Sequence, residues 1–249
     1  MRNEIFDLFH LSYIFGSLLI TVALIFLIRK KVTQRTHFNR LVKFFGLLTV
    51  FLHLSPLWLD FLVYGRAEVN DNMIFPIFFC NLSMYLLLIV AFLEKRDTPF
   101  FKYLAMVTAY SGIIGALISL IYPEYYVSGN GLTYPIIKSL LSHSTMLIGG
   151  FILVIGHYFP VQKRNTLIYF IGMLGFGFIG LVVNLLFRLY QLGPVNAMYL
   201  QKPPLEEAPF LNVFVITALM LITIFGLTTL HEKLTKGKVT FKKEETIQI

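Results

Sequence analysis

Apolar residues run along this chain in long unbroken blocks rather than in alternation or as a one-faced helical stripe. Seven blocks stand out, at about residues 9–29, 42–64, 73–93, 101–122, 134–158, 166–190 and 210–230. A membrane-spanning helix needs about 20 mainly apolar residues, and each block meets that length. Open strands cannot cross lipid, because their backbone groups would go unpaired. The strict alternation of a transmembrane barrel is missing as well. The pattern therefore predicts an all-α, polytopic membrane bundle of seven transmembrane helices. Residues 1–232 read as one bundle domain, and residues 233–249 as a basic, polar cytoplasmic tail.

Composition agrees with this reading. The chain is 57% hydrophobic and only 14% charged, against about 25% charged in a soluble domain. The first block is longer than the apolar core of a signal peptide, and no small-residue cleavage site follows it. Arg29, Lys30 and Lys31 close it instead. Positive charge marks the cytoplasmic ends of spans. Of the 21 Lys and Arg residues, 16 fall in one alternating set of connections and 5 in the other. That asymmetry places the N-terminus outside and the C-terminus inside a multi-pass cell-membrane protein. The net charge of +8 then reads as a topology signal with attraction to anionic lipid. Nucleic acid is not needed as a partner; membrane phospholipids are, and a second copy of the chain is a further candidate.

Polar residues inside spans are expensive and tend to mark function. Here they gather toward the outer half. Cys80, the single cysteine, lies seven residues into the third block, and His143 nine residues into the fifth, so both sit at nearly one depth. Asp60, Asn184 and Arg188 lie near the outer ends of the second and sixth blocks, and Lys138 about one turn above His143. Ser139, Ser142 and His143 share a face. The inner halves, such as Leu86–Leu93 and Gly149–Ile155, are purely apolar. This asymmetry predicts a cavity opening outward and weighs against a continuous ion path. Tyr122, Tyr125, Tyr126 and Tyr134 mark the outer headgroup level. The 19-residue connection Gln191–Pro209 is long enough to imply a role. Two ladders, Thr108/Gly112/Ala116 and Ser111/Gly115/Ser119, predict close helix packing.

Spacing alone leaves Cys80 open. A buried free cysteine usually just packs, but a neighbouring imidazole would make it a nucleophile. His143 likewise either hydrogen-bonds within the bundle or acts as that base. One cysteine and no His pair at i, i+4 give no metal-ligand set. No phosphate-binding glycine loop or dinucleotide fingerprint implies a cofactor. A retinal or receptor reading lacks its lysine in the last helix and its charged motif at the third.

Three stretches carry a family resemblance: FPIFFCN (Phe75–Asn81), SLLSHSTMLIGG (Ser139–Gly150), and VVNLL followed by NAMYLQKP (Val182–Leu186, Asn196–Pro203). They resemble the bacterial YwaF-like integral membrane proteins, which are related to the eukaryotic transmembrane protein 164 family. The resemblance covers about residues 40–230. It implies acyl transfer on phospholipids, with Cys80 carrying the acyl group and His143 as its partner. Two positions depart from the family pattern. Phe78 stands where the family has a histidine, and the Asn-Tyr element reads Asn196-Ala197.

The expected mechanism is acyl transfer or lipid-ester hydrolysis at the Cys80–His143 pair. Asn81 and Asn184 are the candidate oxyanion donors, and Arg188, Lys202 and Lys138 the candidate phosphate ligands. Asn196 and Tyr199 sit on a covering loop, and Asp60 completes the binding set. The rival expectation is a non-catalytic transporter or lipid-binding protein using the same polar groups.

Overall fold

A computed structural model describes residues 3–64, 71–123, 126, 131–205 and 208–235; the side chains of residues 60, 61, 63, 64, 71, 72, 234 and 235 fall outside it. The tail residues 236–249, Tyr125, Arg66 and the turn residues 128–130 therefore lie outside the described residues. The described chain is helical. Its elements are α1 (Leu8–Lys31), α2 (Arg35–Leu54), α3 (Pro56–Tyr64), α4 (Asp71–Ile74), α5 (Phe79–Phe92), α6 (Pro99–Ile121), α7 (Tyr134–Ile155), α8 (Asn165–Leu189), a 3-10 turn (Ala197–Tyr199) and α9 (Val213–Thr235).

Five stretches are long and apolar enough to cross a membrane: Leu8–Lys31, Pro99–Ile121, Tyr134–Ile155, Asn165–Leu189 and Val213–Lys233. The second and third expected spans differ from the others. The second is α2 followed by α3, interrupted at Ser55 because Pro56 has no N–H and its ring crowds the preceding turn. The third is not a continuous helix over 73–93. Its backbone leaves the helix from Phe75 to Phe78, and α5 runs only from Phe79 to Phe92. Pro76 accounts for the break, since proline removes a donor and drives the residue before it out of the helical region. Cys80 is thus the second residue of a half-length helix, not seven residues into a full one.

α2, α5, α6 and α7 form the central bundle, and α7 touches the other three. α1 lies against α7, α8 against α6, and α9 against α8. Small residues set these distances. Gly112 of α6 faces Met146 of α7, while Gly115 faces Phe79 and the Cys80 backbone. The two predicted ladders of α6 therefore serve two different neighbours. On α7, a Cβ at Gly149 would come within 2.6 Å of Leu87. One at Gly150 would come within 2.9 Å of Ile113 and 3.1 Å of the Ala109 carbonyl oxygen.

The end holding the clustered basic residues is tied by arginine. Arg96 donates to the Leu93 and Ala91 carbonyls at the C-terminal end of α5, at 3.1 and 2.7 Å. It also bonds Asn39 and, at 3.2 Å, the Tyr158 hydroxyl. Arg35 donates to the Gly156 carbonyl beyond α7, and its guanidinium lies 3.7 Å from the Tyr158 ring centre. Carbonyls left open at a helix end need donors, and a cation also complements the negative end of the dipole.

Overpacking a helix contact costs about 1–3 kcal/mol. Gly150→Val should therefore lower the melting temperature of the detergent-solubilised protein by several degrees. Gly175→Ala on α8, where a new Cβ meets nothing within 4 Å, should leave it unchanged or raise it slightly. Equal melting temperatures for Gly150→Val and wild type would refute the close α6–α7 approach.

Candidate functional site

The broken helices concentrate polar side chains at the end of the bundle opposite the arginine ties. Pro56 frees carbonyls in the last turn of α2, and lipid offers them no partner. The Ser55 hydroxyl donates to the Leu52 carbonyl at 2.6 Å. The Tyr134 hydroxyl in turn donates to Ser55 Oγ. The His53 carbonyl accepts from Lys138 Nζ at 3.4 Å. Lys138 is only 7% exposed, so the kink of one helix holds a buried cation of another.

Cys80 sits beside this group. It is partly buried, with its thiol 3.8 Å from Asn81 Oδ1 and hydrogen-bonded to Ser119 of α6. The Asn81 amide donates to His53 Nε2 at 3.2 Å, joining α5 to α2. Lys138 lies within electrostatic reach of both Cys80 and His143. His143 is buried, and its Nδ1 lies 2.7 Å from the Ser139 carbonyl oxygen. A carbonyl oxygen only accepts, so Nδ1 carries the hydrogen and Nε2 the lone pair. Next to it, Thr49 donates to Thr145 at 2.9 Å across α2 and α7. Asn81, Ser83, Lys138, Ser142 and His143 are all buried, so among the described residues they form a packed polar cluster.

The remaining candidates fall elsewhere. Asn184 binds the covering loop: its Oδ1 accepts from the Ala197 N–H at 2.9 Å, and its Nδ2 donates to the Ala197 carbonyl at 3.3 Å. Asn196 shapes the same loop by accepting from the Gln201 N–H at 2.9 Å and donating to the Lys202 carbonyl at 2.9 Å. The Met198 N–H donates to the Ile77 carbonyl at 2.8 Å, and Tyr199 lies against Phe78 with ring centres 5.6 Å apart. The loop thus fills the space left by the unwound Phe75–Phe78. Met198 and Tyr199 hold φ of 55° and 53°, a strained choice for such side chains. Arg188 and Lys202 are exposed, apart from the buried cluster. The side chain of Asp60 falls outside the described residues.

Sequence reasoning missed a clamp made by the N-terminal segment. The Asn3 amide donates to the Tyr126 and Gly131 carbonyls at 3.0 and 2.9 Å. Asp7 caps α1 through the His10 N–H and accepts from the Tyr126 hydroxyl at 2.5 Å. The His10 N–H and then the Tyr126 hydroxyl hold the Asp7 carboxyl below its usual range; burial and then Asp7 push the Tyr126 phenol up to about 12. His10 Nε2 donates to the Leu120 carbonyl at 2.8 Å. The one available signal was an Asp three residues before a His at the start of an apolar run, an N-cap pattern.

The Asn184 clamp can be tested directly. Losing its two hydrogen bonds should cost about 1–3 kcal/mol. Asn184→Ala should therefore speed hydrogen exchange at residues 195–202 by roughly tenfold or more, with the α6 and α7 amides unchanged. Unchanged exchange in the loop would show that Asn184 does not hold it.

Comparison with known proteins adds one finding. No curated protein and no solved structure matches the chain. A family model, that of the TMEM164 family, matches residues 5–230. That match starts before α1 and runs into the last turns of α9, taking in the polar cluster, the loop around Met198 and the Asp7 part of the N-terminal clamp, and the chain belongs to the TMEM164 family.

Proposed function

We propose that this multi-pass membrane protein, acting in the cell membrane, transfers or hydrolyses the acyl group of a phospholipid through Cys80 and His143. The observation that carries the reading is the hydrogen bond from His143 Nδ1 to the Ser139 carbonyl. It sets the tautomer, so that Nε2 is the ring nitrogen that takes a proton in the proposed step. The family resemblance and the buried Lys138, near both groups, support it.

In the proposed step His143 Nε2 takes the Cys80 proton, and the sulfur attacks the ester carbonyl carbon. The carbonyl oxygen becomes an oxyanion. The early N–H groups of α5 and the Asn81 amide are the candidate donors to it. The C–O bond then breaks, His143 returns the proton to the departing alkoxide, and a thioester remains. A lysolipid hydroxyl or water gives its proton to His143 and attacks the thioester. The Cys80 sulfur leaves and regains the proton. Asn184, Asn196 and Tyr199 act here through the covering loop. The tight packing of the cluster favours one rival, a lipid-binding or transport protein that performs no chemistry.

The two readings separate by mass. Purified protein incubated with phospholipid should gain one fatty-acyl mass that hydroxylamine removes. Cys80→Ser should gain no hydroxylamine-sensitive adduct, and His143→Gln should form its adduct at least 100-fold more slowly. No adduct on wild type, while a small alkylator still labels the thiol, would discard the enzyme in favour of the binding protein.

A further inference from the structure

The basic end of the bundle holds a groove that the Cys80 cluster does not use. It lies between the first turns of α6 and α8 and encloses about 190 Å³. Lys102, Tyr103 and Met106 of α6 line one side, with Phe159, Arg164 and Ile168 on the other. The two cations are exposed, Phe159 is buried, and Tyr103 is half exposed. Among the described residues no carboxylate lines the groove. Asn165, at its back, is spent on structure: its amide donates to the Pro160 carbonyl at 2.7 Å and to the Tyr110 hydroxyl at 3.2 Å. These bonds fix the connector that carries Arg164. Both flanking helices begin here, so their positive dipole ends add to the charge of the side chains.

We propose that this groove binds an anionic glycerophospholipid. The phosphodiester lies between Lys102 Nζ and the Arg164 guanidinium, and the first methylenes of one acyl chain run along Met106 and Ile168. Charge complementarity identifies the occupant. A cationic rim calls for an anion, and the guanidinium fork suits phosphate oxygens. An apolar floor between two membrane helices calls for hydrocarbon attached to that anion. Tyr103 supplies the amphipathic ring expected at headgroup level. The site lies at the opposite end of α6 from Ser119 and Cys80, requires no covalent step and does not depend on the acyl-transfer reading.

The test is native mass spectrometry of the full chain released from detergent. Phosphatidylglycerol and phosphatidylcholine of identical chains are added in separate titrations. The wild type should retain phosphatidylglycerol in preference. Each basic residue near a membrane surface contributes about a fivefold preference for anionic lipid, so Lys102→Gln with Arg164→Gln should weaken phosphatidylglycerol retention roughly 25-fold. The charge-preserving pair Lys102→Arg with Arg164→Lys should largely keep it, and so should Lys30→Gln with Lys31→Gln at the end of α1. Undiminished retention in the first double variant overturns the proposal, as does an equal loss in the α1 variant. Competition by inorganic phosphate at the same concentration as the lipid would also overturn it, because the site would then be a free-anion site. Equal melting temperatures for the four proteins tie any loss to the groove rather than to folding.

Discussion

Inside a lipid bilayer every backbone N–H and C=O must find its partner within the protein. A continuous helix meets that demand by itself, and α1, α6, α7, α8 and α9 do so. Where prolines break the ladder, side chains and loops must complete it. Pro56 leaves open carbonyls that recruit Ser55, Tyr134 and Lys138. The unwound Phe75–Phe78 recruits the loop around Met198, which Asn184 holds in place. The polar cluster around Cys80 follows from these repairs. It is where two interrupted helices meet a third that carries hydroxyls and an imidazole.

The two ends of the bundle meet the same demand differently. At the basic end, Arg96 and Arg35 close helix termini against carbonyls, with Tyr158 and Asn39 between them. That device fixes α2, α5 and α7 to one another where the four central helices pack through apolar contacts. At the other end, beside the Lys138 contact, the ties that cross between helices are hydroxyls, amides and imidazoles, such as Asn81 with His53 and Thr49 with Thr145. Groups of that kind can exchange partners at modest cost, because each bond replaced is worth about 1 kcal/mol net. An arginine withdrawn from four acceptors has no such freedom. The end with exchangeable partners is the one that holds the thiol.

Much of this was legible in the sequence, and the rest failed for identifiable reasons. The five long spans appear within a few residues of their expected bounds, because an apolar run of that length has no other use. α5 was misread as a full span because its unwound entry, Phe75–Phe78, is as apolar as a helix would be; only Pro76 marked it. Cys80 and His143 could be picked out as polar groups within apolar runs, but their relative depth could not be counted across the break at Pro76. Their neighbours could not be read either. Whether Ser119 or His53 faces α5 depends on how each helix is rotated about its axis, which the packing of Gly115 on Cys80 decides. The N-terminal clamp was missed because Asn3 and Asp7 precede the first apolar block and act on a loop more than a hundred residues away.

Lys138 shows how far such a repair reaches. A carbonyl freed by proline can be satisfied by a hydroxyl, as the Leu52 carbonyl is by Ser55. At His53 the donor is instead the Lys138 ammonium, on a long side chain from another helix and only 7% exposed. Desolvating an ammonium costs several kcal/mol before any partner returns it, and membrane depth makes that worse. On the acyl-transfer reading the cost has a return: an anionic phosphate or an oxyanion arriving near Cys80 meets a cation already held in position, with no rearrangement needed as charge develops. On the binding reading the same cation meets the same phosphate without the chemistry.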